Sequence, residues 1–252
     1  MNTDALIAEA RKLVRFQPSV GVRNNILHRV RQMERDELDD GRNIGLWTFR
    51  STDADHYEDF VPHWKAMCDK FHPRCAWFLN RMPGATMFQR AMSMCAHVNT
   101  PALFRMPTVF LDVDAFPNTD LSAMCGLVKD VGLTIRETPG LMPVNEGVIV
   151  ARPTEAAIRF FWAYVATYEA LQGLLPEKDW GWWGGQLALN ALSKGMQPDG
   201  VAVTYLPVDP YNFSPDSEED LSAAVLDTKA ICHLKGPRKV HLARIKAYQN
   251  AR

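Results

Sequence analysis

The chain has 252 residues, 47% of them hydrophobic and 23% charged, with a formal net charge of −1 at pH 7. That length buries the core of one large α/β domain or two small ones, and the near-zero charge argues against nucleic acid or an anionic membrane surface as partner, since both demand a basic field. The five cysteines are odd in number and scattered without a C-x-x-C pair, which points to reduced thiols and a cytoplasmic setting; the first residues lack the apolar core of a secretory signal, and no uncharged apolar run approaches the ~20 residues that span a bilayer.

Residues 1–42 read as two helices that form an N-terminal helical extension on a main domain of residues 43–252. Thr3 is placed to cap the first helix, with Ala5, Leu6, Ala8, Leu13 and Val14 as its apolar set, and Gln17-Pro18 ends it. The second covers roughly 22–38, with Ile26, Leu27, Val30 and Met33 at helical spacing. The arginines of this region, Arg15, Arg23, Arg29, Arg31 and Arg35, read as a solvated basic face. A strand is expected over 43–50, a polar connection over 51–56 and a helix over 60–71, with Val61, Trp64, Met67, Cys68 and Phe71 inward and Pro62 tolerated in the first turn. A second strand follows over 75–79, a turn at Pro83-Gly84, and a helix over 85–98 with Phe88, Ala91, Met92 and Cys95 on one side.

Residues 108–118, TVFLDVDAFPN, organise the rest. The unbroken apolar run Val109, Phe110, Leu111 suits a strand buried on both faces. Asp112 and Asp114 follow at once. Side chains two apart on a strand project to one side, so both carboxylates are expected at the strand's C-terminal end, where open α/β sheets bind ligands. Two enclosed like charges repel; a divalent cation shared with a bound phosphate removes that repulsion. Up to Asp114 the chain reads helix pair, β, α, β, α, β, which predicts a Rossmann-like α/β fold with helices covering a parallel sheet.

Beyond this point strands are expected over 133–136 and 147–151. Pro153-Thr154 opens an amphipathic helix carrying Ile158, Phe161, Trp162, Val165, Tyr168 and Leu171. The segment 179–186, DWGWWGGQ, is all glycine and tryptophan between its ends, which leaves little room for regular structure, so the next helix is expected only from about Gly184 to Lys194. Trp180, Trp182 and Trp183 offer flat faces for sugar C–H groups, or serve as core and lid residues. A strand over 201–206 and a Pro- and acid-rich loop over 207–220 follow; the loop reads either as a cover over a bound ligand or as plain surface connection. His233, Gly236 and Lys239 then form H-x-x-G-x-x-K. An imidazole completes a metal site already supplied with oxygens, a glycine admits backbone N–H groups to a phosphate, and a lysine offers it a compact charge.

These motifs together resemble the GT-A glycosyltransferases, most nearly the retaining, metal-dependent, glycogenin-like group. FLDVD resembles the family's D-x-D; VNEGVIV its N-x-G segment, through Asn145 and Gly147; WGGQLALN its Asp-Gln segment, through Gln186; and HLKGPRK its H-x-x-G-x-x-K. FQRAM resembles the segment with the family's donor-binding arginine, here Arg90. The resemblance spans residues 43–241 and implies a mixed central sheet with helices on both faces. It implies Mn²⁺ or Mg²⁺ on Asp112, Asp114 and His233, and a nucleoside-diphosphate sugar, UDP-linked, held by Thr48, Arg90, Asp112, Val113, Asp114, Gly147, Gly236 and Lys239. Gln186 and Asn145 would orient the sugar during transfer, with retention, to a glycan or other hydroxyl acceptor. Gly185 departs from the pattern, because the family usually has there an aspartate that contacts the transferred sugar; Asp179 or Glu146 is expected to stand in. A tryptophan usual after the lysine is replaced by Val240 and His241. Two other readings compete: a catalytically degenerate GT-A domain that binds nucleotide sugar or glycan, and a sugar nucleotidyltransferase. The second should carry a Gly-rich phosphate loop after the first strand, and NIGLWTFRSTDADH has none.

Overall fold

A computed structural model describes residues 3–33, 43–51, 57–72, 75–82, 87–138 and 141–251; the side chains of residues 32, 33, 51, 80–82, 177–179 and 182 lie outside that description. The expected end of the second helix beyond Met33, the connection over 52–56 and the Pro83-Gly84 turn also fall outside it.

Six strands form the main sheet: β1 (Ile44–Ser51), β2 (Cys75–Met82), β3 (Thr108–Asp112), β5 (Val131–Ile135), β6 (Val144–Ala151) and β7 (Val203–Pro207). Their order is β2-β1-β3-β6-β5-β7. Strands β2, β1 and β3 run parallel, β6 is antiparallel to both of its neighbours, and β7 is parallel to β5. The reversed β6 makes the sheet mixed. In β3 the apolar run divides between two faces: Phe110 joins the core built with α4 (Met87–Val98), α6 (Glu155–Leu171) and α7 (Glu177–Leu192), while Val109 and Leu111 join the core built with α3 (Phe60–Phe71) and α5 (Ser122–Leu127). Strand alternation sends successive side chains to opposite faces, so a run of apolar residues is what a centrally placed, doubly covered strand requires.

The two N-terminal helices, α1 (Thr3–Arg11) and α2 (Val20–Met33), belong to the first of these cores through Ile7, Ala10, Ile26 and Val30. Arg29 departs from the expected solvated face: it is buried, and its guanidinium donates to Ser93 Oγ on α4 at 2.8 Å. Helix α6 starts where the sequence places it, with Thr154 Oγ1 accepting from Ala157 N. Helix α7 corrects the expectation of an irregular 179–186 segment, because the helix runs through it. The glycines are contact points instead of breaks. A Cβ on Gly184 would lie 2.1 Å from Tyr168 Cε2, and one on Gly185 2.4 Å from Glu146 Oε2. Close helix–helix and helix–strand approach outweighs the helix propensity that glycine lacks. Trp180 packs edge-on to Phe88 and Tyr168, whereas Trp183 is exposed.

Short elements missed in the sequence complete the site's frame. β4 (Ala115–Pro117) pairs antiparallel with β8 (Ile231–His233) in a two-stranded ribbon. A 3₁₀ turn at Gly236–His241 and a C-terminal helix, Leu242–Ala251, follow β8. Gln249 of that helix pins it down, lying 2.7 Å from His63 Nε2 and donating to Pro117 O and Asn118 Oδ1. All five cysteines are buried and none is joined in a disulfide. Among the described residues no helix is long and apolar enough to cross a membrane.

One buried histidine makes the fold acid-sensitive. His97 on α4 is 1% exposed and lies edge-on to Phe78, Phe104 and Phe110. Burial holds its pKa down at about 3. The unfolded chain takes up the proton near pH 6.5 and the folded chain does not, so this contribution is intact above 6.5 and is lost as pH falls. Between pH 6.5 and 4.5 that is about 2 kcal/mol, the slope approaching about 1.4 kcal/mol per unit only once the unfolded imidazole is largely protonated. Urea unfolding at both pH values should show the wild-type chain losing more stability than His97→Leu by about this amount; equal losses would exclude the role.

Candidate functional site

β3 ends at Asp112, and Val113 and Asp114 form the turn into β4. This refines the expected geometry: the turn, rather than strand alternation alone, brings the two carboxylates together. The ribbon then delivers the third group. Ala115 pairs with His233, and Leu234 N donates to Asp114 O at 2.9 Å. His233 Nε2 therefore lies 3.1 Å from Asp114 Oδ1 and 3.4 Å from Asp112 Oδ2. One ligand atom from each of the three residues falls within 4.8 Å of the others. Asp114 and His233 are buried, and Asp112 faces the opening with its side chain 28% exposed.

The tautomer of His233 follows from its other nitrogen. Asn212 Nδ2 donates to Thr134 Oγ1 at 2.8 Å and to Asn145 Oδ1 at 2.7 Å, which turns Asn212 Oδ1 toward His233 Nδ1, 2.8 Å away. Nδ1 carries the proton, and the Nε2 lone pair faces the two carboxylates. Burial, then the charge of Lys235, pushes the imidazole pKa down, which keeps the ring neutral. A lone pair and two carboxylates aimed at one point repel one another unless a cation stands between them. Two hard oxygens and an imidazole suit Mn²⁺ or Mg²⁺, and the fixed Nδ1–H is the orienting outer bond that metal-bound histidines have. The donor set fits a divalent ion.

Gly147 has a role the spacing did not show. A Cβ there would lie 2.3 Å from His233 Cε1, so the glycine leaves room for the ring. Its N–H donates to Asn145 Oδ1. Asn145 Nδ2 in turn donates to Gln186 Oε1 at 3.2 Å, and Arg136 Nη2 donates to the same oxygen at 3.3 Å. A continuous polar chain thus links His233, Asn212, Asn145, Gln186 and Arg136. Asn212 is fully buried and sits where the sequence suggested only an acidic loop; the loop is stitched to the ribbon through a Phe213–Cys232 bridge.

Cations surround the acids. Lys239 Nζ lies 3.5 Å from Asp114 Oδ2 and donates to Tyr57 OH at 2.7 Å. Burial lowers its pKa, but Tyr57 and Asp114 outweigh that and raise it. Burial raises the Asp114 pKa, and the positive charge of Lys239 beside it acts in the opposite direction. Gly236 takes φ +54 at the turn into the 3₁₀ segment, a conformation that favours glycine, and the space a Cβ would enter there is open. Arg90 is buried and bridges Asp112 Oδ1 at 3.0 Å and Glu146 Oε1 at 2.8 Å; Tyr164 OH donates to the same Glu146 oxygen at 2.7 Å. Lys235 is enclosed, and burial with the charge of Arg136 pushes its pKa down to about 8. Tyr57, Arg136, Tyr164, Asn212 and Lys235 escaped the sequence reading; only Lys235, inside the H-x-x-G-x-x-K stretch, carried a visible signal as an extra cation.

Thr48 stands apart from this cluster. It is fully buried in β1, paired with Leu79 and Leu111, and its Oγ1 has no hydrogen-bond partner. Val113 is buried in the turn between the two acids. The Asp179 side chain lies outside the described residues, although its backbone is in α7.

No protein-family model matches the chain, and no curated protein matches it. Solved structures do. A glycosyltransferase involved in glycosylation of the major capsid of PBCV-1 is similar with TM-score 0.53 at 13% identity, over 83% of this chain and 100% of that one. The galactosyltransferase LgtC, solved with donor and acceptor sugar analogs, is similar with TM-score 0.51 at 13% identity, over 82% and 95%. The glycosyltransferase GlyE of Streptococcus pneumoniae TIGR4 is similar with TM-score 0.54 at 12% identity, over 84% of this chain and 63% of that one. Sheet order, the reversed β6 and these likenesses agree on one architecture: the chain has the GT-A fold.

Proposed function

We propose that this chain is a metal-dependent glycosyltransferase of the retaining, glycogenin-like type. It moves a hexose from a nucleoside-diphosphate sugar, UDP-linked, to the hydroxyl of a glycan or other acceptor. The observation that carries the reading is the meeting of Asp112, Asp114 and His233 at the C-terminal end of β3, the position where α/β sheets bind ligands, within the fold of known glycosyltransferases. Buried cysteines without disulfides fit a cytoplasmic setting.

Asp112, Asp114 and His233 Nε2 would hold the ion. A bound Mn²⁺ or Mg²⁺ supplies Lewis-acid neutralisation of the departing diphosphate. Lys239 adds a fixed positive charge on the Asp114 side, preorganised by its bond to Tyr57. The Gly236 turn presents backbone to the same oxygens. Gln186 and Asn145, locked to each other and to Arg136, orient the sugar. Of the two candidates for the acid absent at position 185, Glu146 has its carboxylate against the Gly185 Cα, which supports it over Asp179 and weakens the degenerate-domain reading. The acceptor hydroxyl arrives on the leaving-group face in a retaining transfer, so its proton passes to the diphosphate and no protein base is assigned.

Titration calorimetry of UDP against the chain, with and without Mn²⁺, tests the reading. Tight binding only with Mn²⁺, and slow Mn²⁺-dependent release of UDP from a UDP-sugar, are expected. Binding that ignores the metal would reject the metal-dependent donor site.

A further inference from the structure

Trp183 is a large apolar side chain that the core does not use. Its neighbour on α7, Trp180, packs edge-on to Phe88 and Tyr168. Trp183 is 45% exposed, and its ring has no aromatic, cationic or hydrogen-bonding partner among the described residues. Tryptophan is highly buried in most folds, and alanine, lysine or glutamate favour an exposed helix position more. Neither packing nor helix propensity accounts for this residue.

Its place on α7 ties it to the site. The helix is buried throughout from Gly184 to Leu192, so Trp183 stands where it emerges into solvent. The next turn carries Gly185, against the Glu146 carboxylate, and Gln186, whose Oε1 accepts from Asn145 and Arg136. Residues three apart on a helix are neighbours on one face, about 5–6 Å apart at Cβ. The exposed indole therefore borders the side chain assigned above to orient the sugar. The polar chain from His233 through Asn212 and Asn145 leads to Gln186, whereas Lys239 and Tyr57 stand on the Asp114 side.

The chemistry of the indole selects its occupant. It offers a flat face of negative π-charge and an N–H at the edge. The C–H groups on one face of a sugar ring pack against such a surface while the hydroxyls at the rim keep their hydrogen bonds. A nucleobase also stacks on indole, but in a nucleoside-diphosphate sugar it lies at the opposite end from the sugar. Resting on the donor-site reading above, we propose that Trp183 is the stacking platform of the acceptor site and that the acceptor is a glycan, with one sugar ring against the indole beside Gln186. Trp183 then sets acceptor affinity and takes no part in holding the donor.

The test is calorimetry on the full chain with Mn²⁺, for wild type, Trp183→Tyr, Trp183→Leu and Trp183→Ala, each checked for an unchanged thermal melt. UDP is titrated first. The UDP-saturated protein is then titrated with lactose, maltose and cellobiose, and with octyl glucoside below its micelle concentration. At least one disaccharide should bind wild type. Trp183→Tyr, which keeps a flat face, should retain most of that affinity, and Trp183→Leu and Trp183→Ala should both lose about tenfold or more, with UDP affinity the same in all four. Leucine serving as well as tyrosine, or octyl glucoside binding where no disaccharide does, overturns the proposal in favour of plain apolar contact. Absence of disaccharide binding to wild type overturns it as well, as does a loss of UDP affinity in the variants, which would place the indole on the donor. Failure of UDP to bind wild type rejects the donor site instead, and the same sugar titrations without UDP then decide the platform by themselves.

Discussion

Asp114→Asn is expected to weaken Mn²⁺ binding at least about 100-fold, since removing even an outer partner of a metal ligand costs 10- to 100-fold, and to reduce UDP affinity in Mn²⁺ to its metal-free value. Asparagine keeps the volume of the side chain and leaves the backbone bond from Leu234 N to Asp114 O in place. It removes one of two carboxylates held near a single point, and their mutual repulsion with it. The fold should therefore survive, and the loss should appear in metal affinity and turnover. His233→Ala should act in the same direction through a different cause. It deletes the Nε2 ligand and leaves Asn212 Oδ1 without its donor, although Asn212 keeps its bonds to Thr134 and Asn145. Calorimetric titration of Mn²⁺ into both variants, beside a thermal melt, separates ligand loss from unfolding. Unchanged turnover in both would remove these residues from the reaction.

Much of this arrangement was legible in the chain. The apolar run ending in two acids gave a buried strand and the location of the site, because periodicity and burial are local properties. The motif near the C-terminus named the imidazole that the structure brings beside the two acids, but nothing local reveals why it arrives. That depends on pairing between β4 and β8, three residues each and 114 or more positions apart in sequence, too short to show a strand pattern. The glycines of α7 misled for a related reason. Read alone, they argue against a helix; the structure needs them because Tyr168 and Glu146 press against that surface, and such long-range contact has no signature in a short window. Asn212 was hidden in the same way: an amide in an acidic loop carries no mark of the histidine it will orient. Gly147 was read as part of the nucleotide-sugar site; in space it also leaves room for the His233 ring.

Glu146→Ala should cost about 3–5 kcal/mol of stability, the scale for breaking a buried ion pair from one side. Glu146 is 4% exposed, and one of its oxygens accepts from both Arg90 and Tyr164. Truncation leaves the buried Arg90 guanidinium with Asp112 as its one carboxylate, beside the Glu146 backbone oxygen it already donates to, and leaves the Tyr164 hydroxyl without that acceptor. Glu146→Gln should cost much less, because the amide oxygen still accepts from both donors. Removing both charges, as in Arg90→Met with Glu146→Met, should recover most of the loss, since apolar replacement of a buried pair is close to neutral. Gly185 supplies an independent check. A Cβ at that position meets Glu146 Oε2 at 2.4 Å, so Gly185→Ala should be destabilising in the wild-type background and much less so beside Glu146→Ala. That coupling is non-additive by the logic of residues in contact, and urea unfolding of the two singles and the double measures it. Additive losses would mean that Glu146 does not press on Gly185, and the carboxylate would then lose its claim to the space where position 185 lacks an acid. The same series bears on the site, because Arg90 also holds Asp112 Oδ1. If the Glu146 bond is what fixes the guanidinium, Glu146→Ala should also weaken Mn²⁺ binding, by loosening one ligand without touching the metal.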